Sequence, residues 1–180
     1  MDRMTFIDRD GVINEVMTSR VEHVNHPSSF YFLDGALEGL RELTEMGFSL
    51  FVVTNQGGVG LGFLQEKMLK KIHEKMVLEA EKAGGVIKDI AYCCHKPHEG
   101  CSCRKPNPGM ILDLAERYNI DLTNSFMIGD RETDVEAGRK AGVTTVKIGG
   151  EQGEAHFLAA DLREAAVHIC AYEKIKGHSD

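Results

Sequence analysis

Thr5-Phe6-Ile7-Asp8-Arg9-Asp10-Gly11 runs from a short apolar, β-prone stretch straight into two carboxylates and a glycine. Threonine, phenylalanine and isoleucine suit a buried strand, and a polar break directly after them marks its carboxyl end. Asp8 and Asp10 stand two residues apart, close enough to repel, and a magnesium ion would offset that repulsion. Gly11 permits a tight turn there and lets backbone amides approach a phosphate.

The same grammar recurs outward from this segment. Apolar runs at Ser49-Leu50-Phe51-Val52-Val53, Ile87-Lys88-Asp89-Ile90-Ala91-Tyr92, Ser125-Phe126-Met127-Ile128 and Thr144-Thr145-Val146-Lys147-Ile148 read as further strands. Helical spacing fills the intervals at 36–46, 65–83, 109–119 and 132–141, with a last helix at 161–172. Strand-helix alternation with connections this long gives a Rossmann-like α/β fold: an open parallel sheet with helices on both faces. The 12–33 stretch shows neither period and is expected to fold over the sheet edge as a substrate loop.

With 180 residues the chain is expected to form a single domain, 1–180, without a large cap. A net charge of -7, from 21 basic and 28 acidic side chains, argues against nucleic acid or an anionic membrane as partner. No leader or membrane-spanning run precedes Thr5, so the expected location is the cytoplasm. The expected state is a monomer acting on a small anionic molecule.

In an open parallel sheet, ligands bind beyond the carboxyl ends of the strands, and the residues there form a chemical set. After the second run come Thr54 and Asn55, then a glycine-rich stretch from Gln56 to Gly62, offering hydroxyl, amide and backbone donors to phosphate oxygens. Arg104 and Lys105 precede a proline-rich turn and a helix start, where two cations are held near a helix N-terminus. Gly129 and Asp130 follow the fourth run, with Asp134 one turn into the next helix.

Four of the five cysteines, Cys93, Cys94, Cys101 and Cys103, crowd into eleven residues with His95 and His98 among them. Such crowding suits a metal, since disulfides staple distant segments. On an extended segment Cys93 and His95 point one way and Cys94 the other. Cys93, His95, Cys101 and Cys103 then make a closed tetrahedral zinc set, structural in kind, that fixes the loop presenting Arg104 and Lys105. The roles of Cys94 and His98 stay open on these grounds.

Asp8-x-Asp10, Thr54 after the second run, Lys105, and the Asp130/Asp134 pair together resemble the haloacid dehalogenase superfamily, over Asp8 to Asp134. The resemblance implies a magnesium-dependent phosphatase. Asp8 attacks phosphorus to form an aspartyl-phosphate, and Asp10 protonates the leaving alcohol and then deprotonates water. It also implies magnesium held by Asp8, the Asp10 backbone carbonyl and Asp130, with Thr54 and Lys105 on the transferred group and Asp134 in support.

Asp-Arg-Asp-Gly, Thr-Asn-Gln and Cys-x-Cys-Arg-Lys-Pro narrow the resemblance to the subgroup holding heptose-bisphosphate 7-phosphatases and histidinol-phosphate phosphatase domains, with the former nearer. That implies removal of the 7-phosphate of D-glycero-D-manno-heptose 1,7-bisphosphate, in the making of nucleotide-activated heptose. Gly11, Asn55 and Arg104 would touch substrate, and Arg104 could grip the second phosphate. Cys94 and Gly57 depart from the subgroup, which usually has proline and serine or aspartate there. The alternatives are a histidinol-phosphate or other small phosphomonoester phosphatase, an inactive zinc-stabilised binding protein, and a zinc hydrolase working through metal-bound water.

Overall fold

The computed structural model describes residues 3–176. Its strands are β1 (Arg3–Ile7), β2 (Phe48–Asn55), β3 (Ile87–Cys93), β4 (Ser125–Gly129), β5 (Thr144–Ile148) and β6 (Phe157–Ala159). They form one sheet in the order β3-β2-β1-β4-β5-β6, and every pairing is parallel. β1, β2 and β4 are buried along almost their whole length, which is why they read as unbroken apolar runs.

The helices are α1 (Ala36–Glu45), α2 (Gly57–Gly60), α3 (Glu66–Lys82), α4 (Gly109–Tyr118), α5 (Glu132–Ala141) and α6 (Leu162–Lys176). Leu40 and Leu43 of α1, Leu69, Ile72 and Met76 of α3, and Leu162 and Ile169 of α6 share a core with Ile7, Leu50, Val52 and Ile128. On the opposite face Met110, Ile111 and Leu114 of α4 and Ala137 of α5 pack on Phe6, Phe51, Val53 and Met127. Alternate strand residues thus feed two cores, with helices on both faces as the alternation implied.

Three features depart from the expectation. β6 has only three residues, too short for a periodic signal. The start of the glycine-rich stretch winds into α2. The 12–33 stretch is more than a loop over an edge: Val12, Ile13, Val21, Val24 and Phe30 are buried in the α1/α3/α6 core. Its 3-10 turn, Pro27–Ser29, lies against α3, where Lys75 Nζ donates to the Pro27 carbonyl at 3.0 Å. Those apolar residues follow irregular backbone, so they show no period. No helix among the described residues is long and apolar enough to cross a membrane.

β1 lies between β2, reached first, and β4, reached after the chain has crossed back over the sheet. This reversal opens a crevice beyond the carboxyl ends of β1, β2 and β4.

Candidate active site

Lys105, in the loop entering α4, reaches back into that crevice and is 4% exposed. Its ammonium stands 2.7 Å from Asp8 Oδ1 and 2.6 Å from Asp134 Oδ1, and donates to the Val53 carbonyl at 2.8 Å. All three ammonium hydrogens therefore have acceptors. Burial opposes its charge, but Asp8 and Asp134 outweigh burial and hold its pKa up. Asn55 fixes this lysine's backbone: its amide oxygen accepts the Lys105 N–H and its amide nitrogen donates to the Lys105 carbonyl, both at 3.0 Å. The asparagine that the sequence suggested for substrate is thus also a clamp between β2 and the lysine loop.

One ammonium faces three carboxylates here. Asp8, Asp130 and Asp134 bring one oxygen each within 4.8 Å of one another. Burial, against the pull of Lys105, and then the charge of Asp134 push the Asp8 pKa up to about 8, and burial followed by Asp134 raises that of Asp130. Asp130 Oδ1 is buried without a hydrogen-bond partner. Surplus negative charge and an orphaned hard oxygen donor fit a divalent cation. Asp134 has both oxygens engaged, Oδ1 by Lys105 and Oδ2 by the Arg131 N–H at 3.0 Å, which suits a supporting place.

Gly11 makes the tight turn its type and position imply, and it has a second reason as well. Its φ is +85°, and a Cβ there would stand 2.3 Å from Asp130 Oδ2. Its own amide donates to the Asn14 carbonyl at 2.9 Å within the turn. The glycine makes room for Asp130.

Asp10 lines the same cavity, of about 100 Å³, with Asp8, Thr54, Lys105 and Asp134. Its Oδ1 accepts from Arg9 Nη2 at 2.8 Å and Asn14 Nδ2 at 2.9 Å, and its Oδ2 from Gln56 Nε2 at 2.9 Å. Burial works against its carboxylate form, but Arg9, Asn14 and Gln56 outweigh it and lower the pKa. Gln56 Nε2 also donates to Thr54 Oγ1 at 2.9 Å.

Cys93, His95, Cys101 and Cys103 converge beside this crevice, their ligand atoms within 4.8 Å of one another. Cys101 Sγ lies 3.6 Å from each of the other two sulfurs, and His95 Nδ1 lies 3.2 Å from Cys103 Sγ and 3.4 Å from Cys93 Sγ, close to the roughly 3.5–3.8 Å edges of a tetrahedral zinc site. The Cys93–Cys103 edge, at 2.9 Å, is shorter than that. Cys93 faces the α4/α5 core and Cys94 packs against the opposite one, the divergence expected of neighbours on a strand end.

Residues 102–170 match the family model described as HAD-hydrolase-like. The chain is 38% identical over 172 residues, 90% of its length and 93% of the relative's, to the D-glycero-beta-D-manno-heptose-1,7-bisphosphate 7-phosphatase of Rhodopseudomonas palustris. The chain belongs to the heptose-1,7-bisphosphate 7-phosphatase family of HAD-like hydrolases. It is also similar to the family's alpha-anomer enzyme from Photorhabdus laumondii, with 32% identity covering 78% of this chain and 79% of that one. A crystal structure of the D,D-heptose 1,7-bisphosphate phosphatase from B. bronchiseptica, complexed with magnesium and phosphate, superposes with a TM-score of 0.86. It is 32% identical and the match covers 96% of this chain and 99% of that one.

Within this family's fold, a second cavity of about 480 Å³ adjoins the first, and Asn55, Arg104, Lys105 and Arg131 line both. Arg104 donates to the His95 carbonyl at 3.3 Å, and the absence of a side chain at Gly57 leaves it space. The sequence pattern did not single out Arg131 or Asn14, nor the contact that Gln56 makes with Asp10. Arg131 follows a strand-end aspartate and was within reach of the strand-end rule. Gln56 and Asn14 act through contacts that only the folded turn creates.

Proposed function

We propose that the chain removes the 7-phosphate of D-glycero-D-manno-heptose 1,7-bisphosphate, as a one-domain, monomeric, cytoplasmic enzyme. The observation that carries this is 38% identity across 90% of the chain, joined to a Lys105-held Asp8 at the switch point of the sheet.

In this reading Asp8 attacks phosphorus as the sugar oxygen departs, and Asp10, which first takes up a proton against the pull of Arg9, Asn14 and Gln56, gives it to that oxygen. Asp10 then takes a proton from the water that attacks phosphorus and releases Asp8. Thr54 would bind a transferred oxygen, and Lys105 would do so by giving over one of its three N–H contacts, adding its positive charge where negative charge develops. Magnesium held by Asp8, Asp130 and the Asp10 carbonyl would supply positive charge to the crowded oxygens. Arg104 and Arg131 both line the larger cavity, where their guanidinium groups would bind the phosphate that stays on the sugar. Cys93, His95, Cys101 and Cys103 bind zinc as a structural clip, since four protein ligands leave no position for water.

Phosphate release from both heptose bisphosphate anomers, beside histidinol phosphate, tests the reading. A heptose bisphosphate is expected to give the highest kcat/KM, and a faster histidinol phosphate reaction overturns the substrate assignment.

A further inference from the structure

Arg9 is 1% exposed, a guanidinium in the interior that the chemistry above leaves unused. Its Nε and Nη2 both donate to Asp10 Oδ1, at 3.2 and 2.8 Å, while its Nη1 lies 3.1 Å from His73 Nε2. A guanidinium carries donors and no acceptor, so His73 Nε2 accepts, and the imidazole is neutral with its proton on Nδ1. Its surroundings hold it there: burial, then the Arg9 charge, bring the His73 pKa down to about 3. His73 comes from the buried face of α3, among Leu69, Ile72 and Met76. An interior cation is tolerated where its hydrogen bonds are satisfied, and this one joins a helix to a single carboxylate oxygen.

The two oxygens of Asp10 are therefore unequal. Oδ1 receives three N–H groups, two from Arg9 and one from Asn14, whereas Oδ2 receives only Gln56 Nε2. We infer that Arg9, itself held by His73, is a positioning residue that fixes the Asp10 carboxyl so that Oδ2 is the oxygen that carries the transferred proton. The inference rests on the proposed reading of Asp10 as acid and base. As the Asp8–phosphorus bond forms and the bond to the sugar oxygen breaks, the proton passes from Oδ2 to that oxygen. In the second half the attacking water returns a proton to Oδ2 as the Asp8–phosphorus bond breaks.

A role in holding the acid predicts a loss that depends on the leaving group. An alkoxide needs the proton and p-nitrophenolate does not, and kcat/KM reports the step in which either departs. His73→Leu and Arg9→Lys are expected to lower kcat/KM for heptose bisphosphate by about 10- to 100-fold, and for p-nitrophenyl phosphate by less than about threefold. His73→Gln, whose amide oxygen can accept from Arg9, is expected to recover to within about fivefold of the parent. Asp10→Asn is the control. If it lowers both substrates equally, the reading of Asp10 as acid fails and this inference falls with it. If Asp10→Asn discriminates while either His73→Leu or Arg9→Lys weakens both substrates equally, or neither, the positioning inference alone is overturned. Should His73→Leu lose its cooperative melt, Arg9→Lys decides the matter.

Discussion

Lys105 is the cation on which two buried carboxylates depend, so its removal acts on the fold as well as on the chemistry. Lys105→Met leaves Asp8 and Asp134 facing each other uncompensated. It is expected to abolish turnover and to lower stability by about 3–5 kcal/mol in urea unfolding, the range for breaking a buried pair. Asp8→Asn is expected to stop phosphate release, and Asp10→Asn to slow it by about 10²- to 10⁴-fold, the usual share of proton transfer. Gly11→Ala forces a side chain into the left-handed region and against Asp130. A higher magnesium requirement for activity is expected, and an unchanged requirement counts against Asp130 as a ligand. Asp8, Thr54 and Asp130 were legible as strand-end residues because each directly follows or ends a buried apolar run, whereas Lys105 was legible from its place before a proline-rich turn and helix start and from the family resemblance. Arg9 and His73 were not, although a histidine among Leu69, Ile72 and Met76 on an apolar helix face was a visible irregularity. Their contact spans 64 residues and depends on how α3 is rotated against β1.

Among the elements, α1 and α6 approach so closely that Gly39 is needed between them. A Cβ at Gly39 would stand 2.6 Å from the Leu162 carbonyl carbon and oxygen. In an open helix Gly→Ala gains up to about 1 kcal/mol. Here the sign reverses: Gly39→Ala is expected to lose about 1–3 kcal/mol by overpacking, measured as a lower melting temperature with kcat unchanged. The Cys/His cluster admits an equally direct comparison. Purified protein is expected to carry about one zinc per chain. Cys103→Ser is expected to lower both zinc content and melting temperature, while Cys94→Ser, facing the other core, leaves zinc content intact. Five strands and five helices could be read in advance because burial on one or both sides leaves a period in the sequence. β6 and α2 could not, being three and four residues long. The 12–33 stretch hid five core residues because its backbone follows no repeat.

At the scale of the whole molecule, His73 ties stability to pH. Its folded pKa of about 3 lies below the unfolded value of 6.5, so between these the unfolded chain binds more protons than the folded one. Its contribution is complete above about pH 6.5 and is lost as pH falls toward 3, at no more than about 1.4 kcal/mol per pH unit. The melting temperature of the parent is therefore expected to fall further than that of His73→Gln between pH 7 and 4. Parallel curves would mean that His73 is not buried neutral. The clamp of Asn55 on Lys105 has an evolutionary consequence. The lysine is pinned from β2, and a zinc ion on Cys93, His95, Cys101 and Cys103 would pin the nearby chain at His95 and Cys101. Between those two pins lie residues 96–100, of which Pro97, His98, Glu99 and Gly100 line the larger cavity. None of the hydrogen bonds and ion pairs described for Asp8, Asp10, Lys105 and Asp134 comes from those five residues, nor does any reach Asp130, so exchanging them would change the lining of the larger cavity while the reacting groups stay in register.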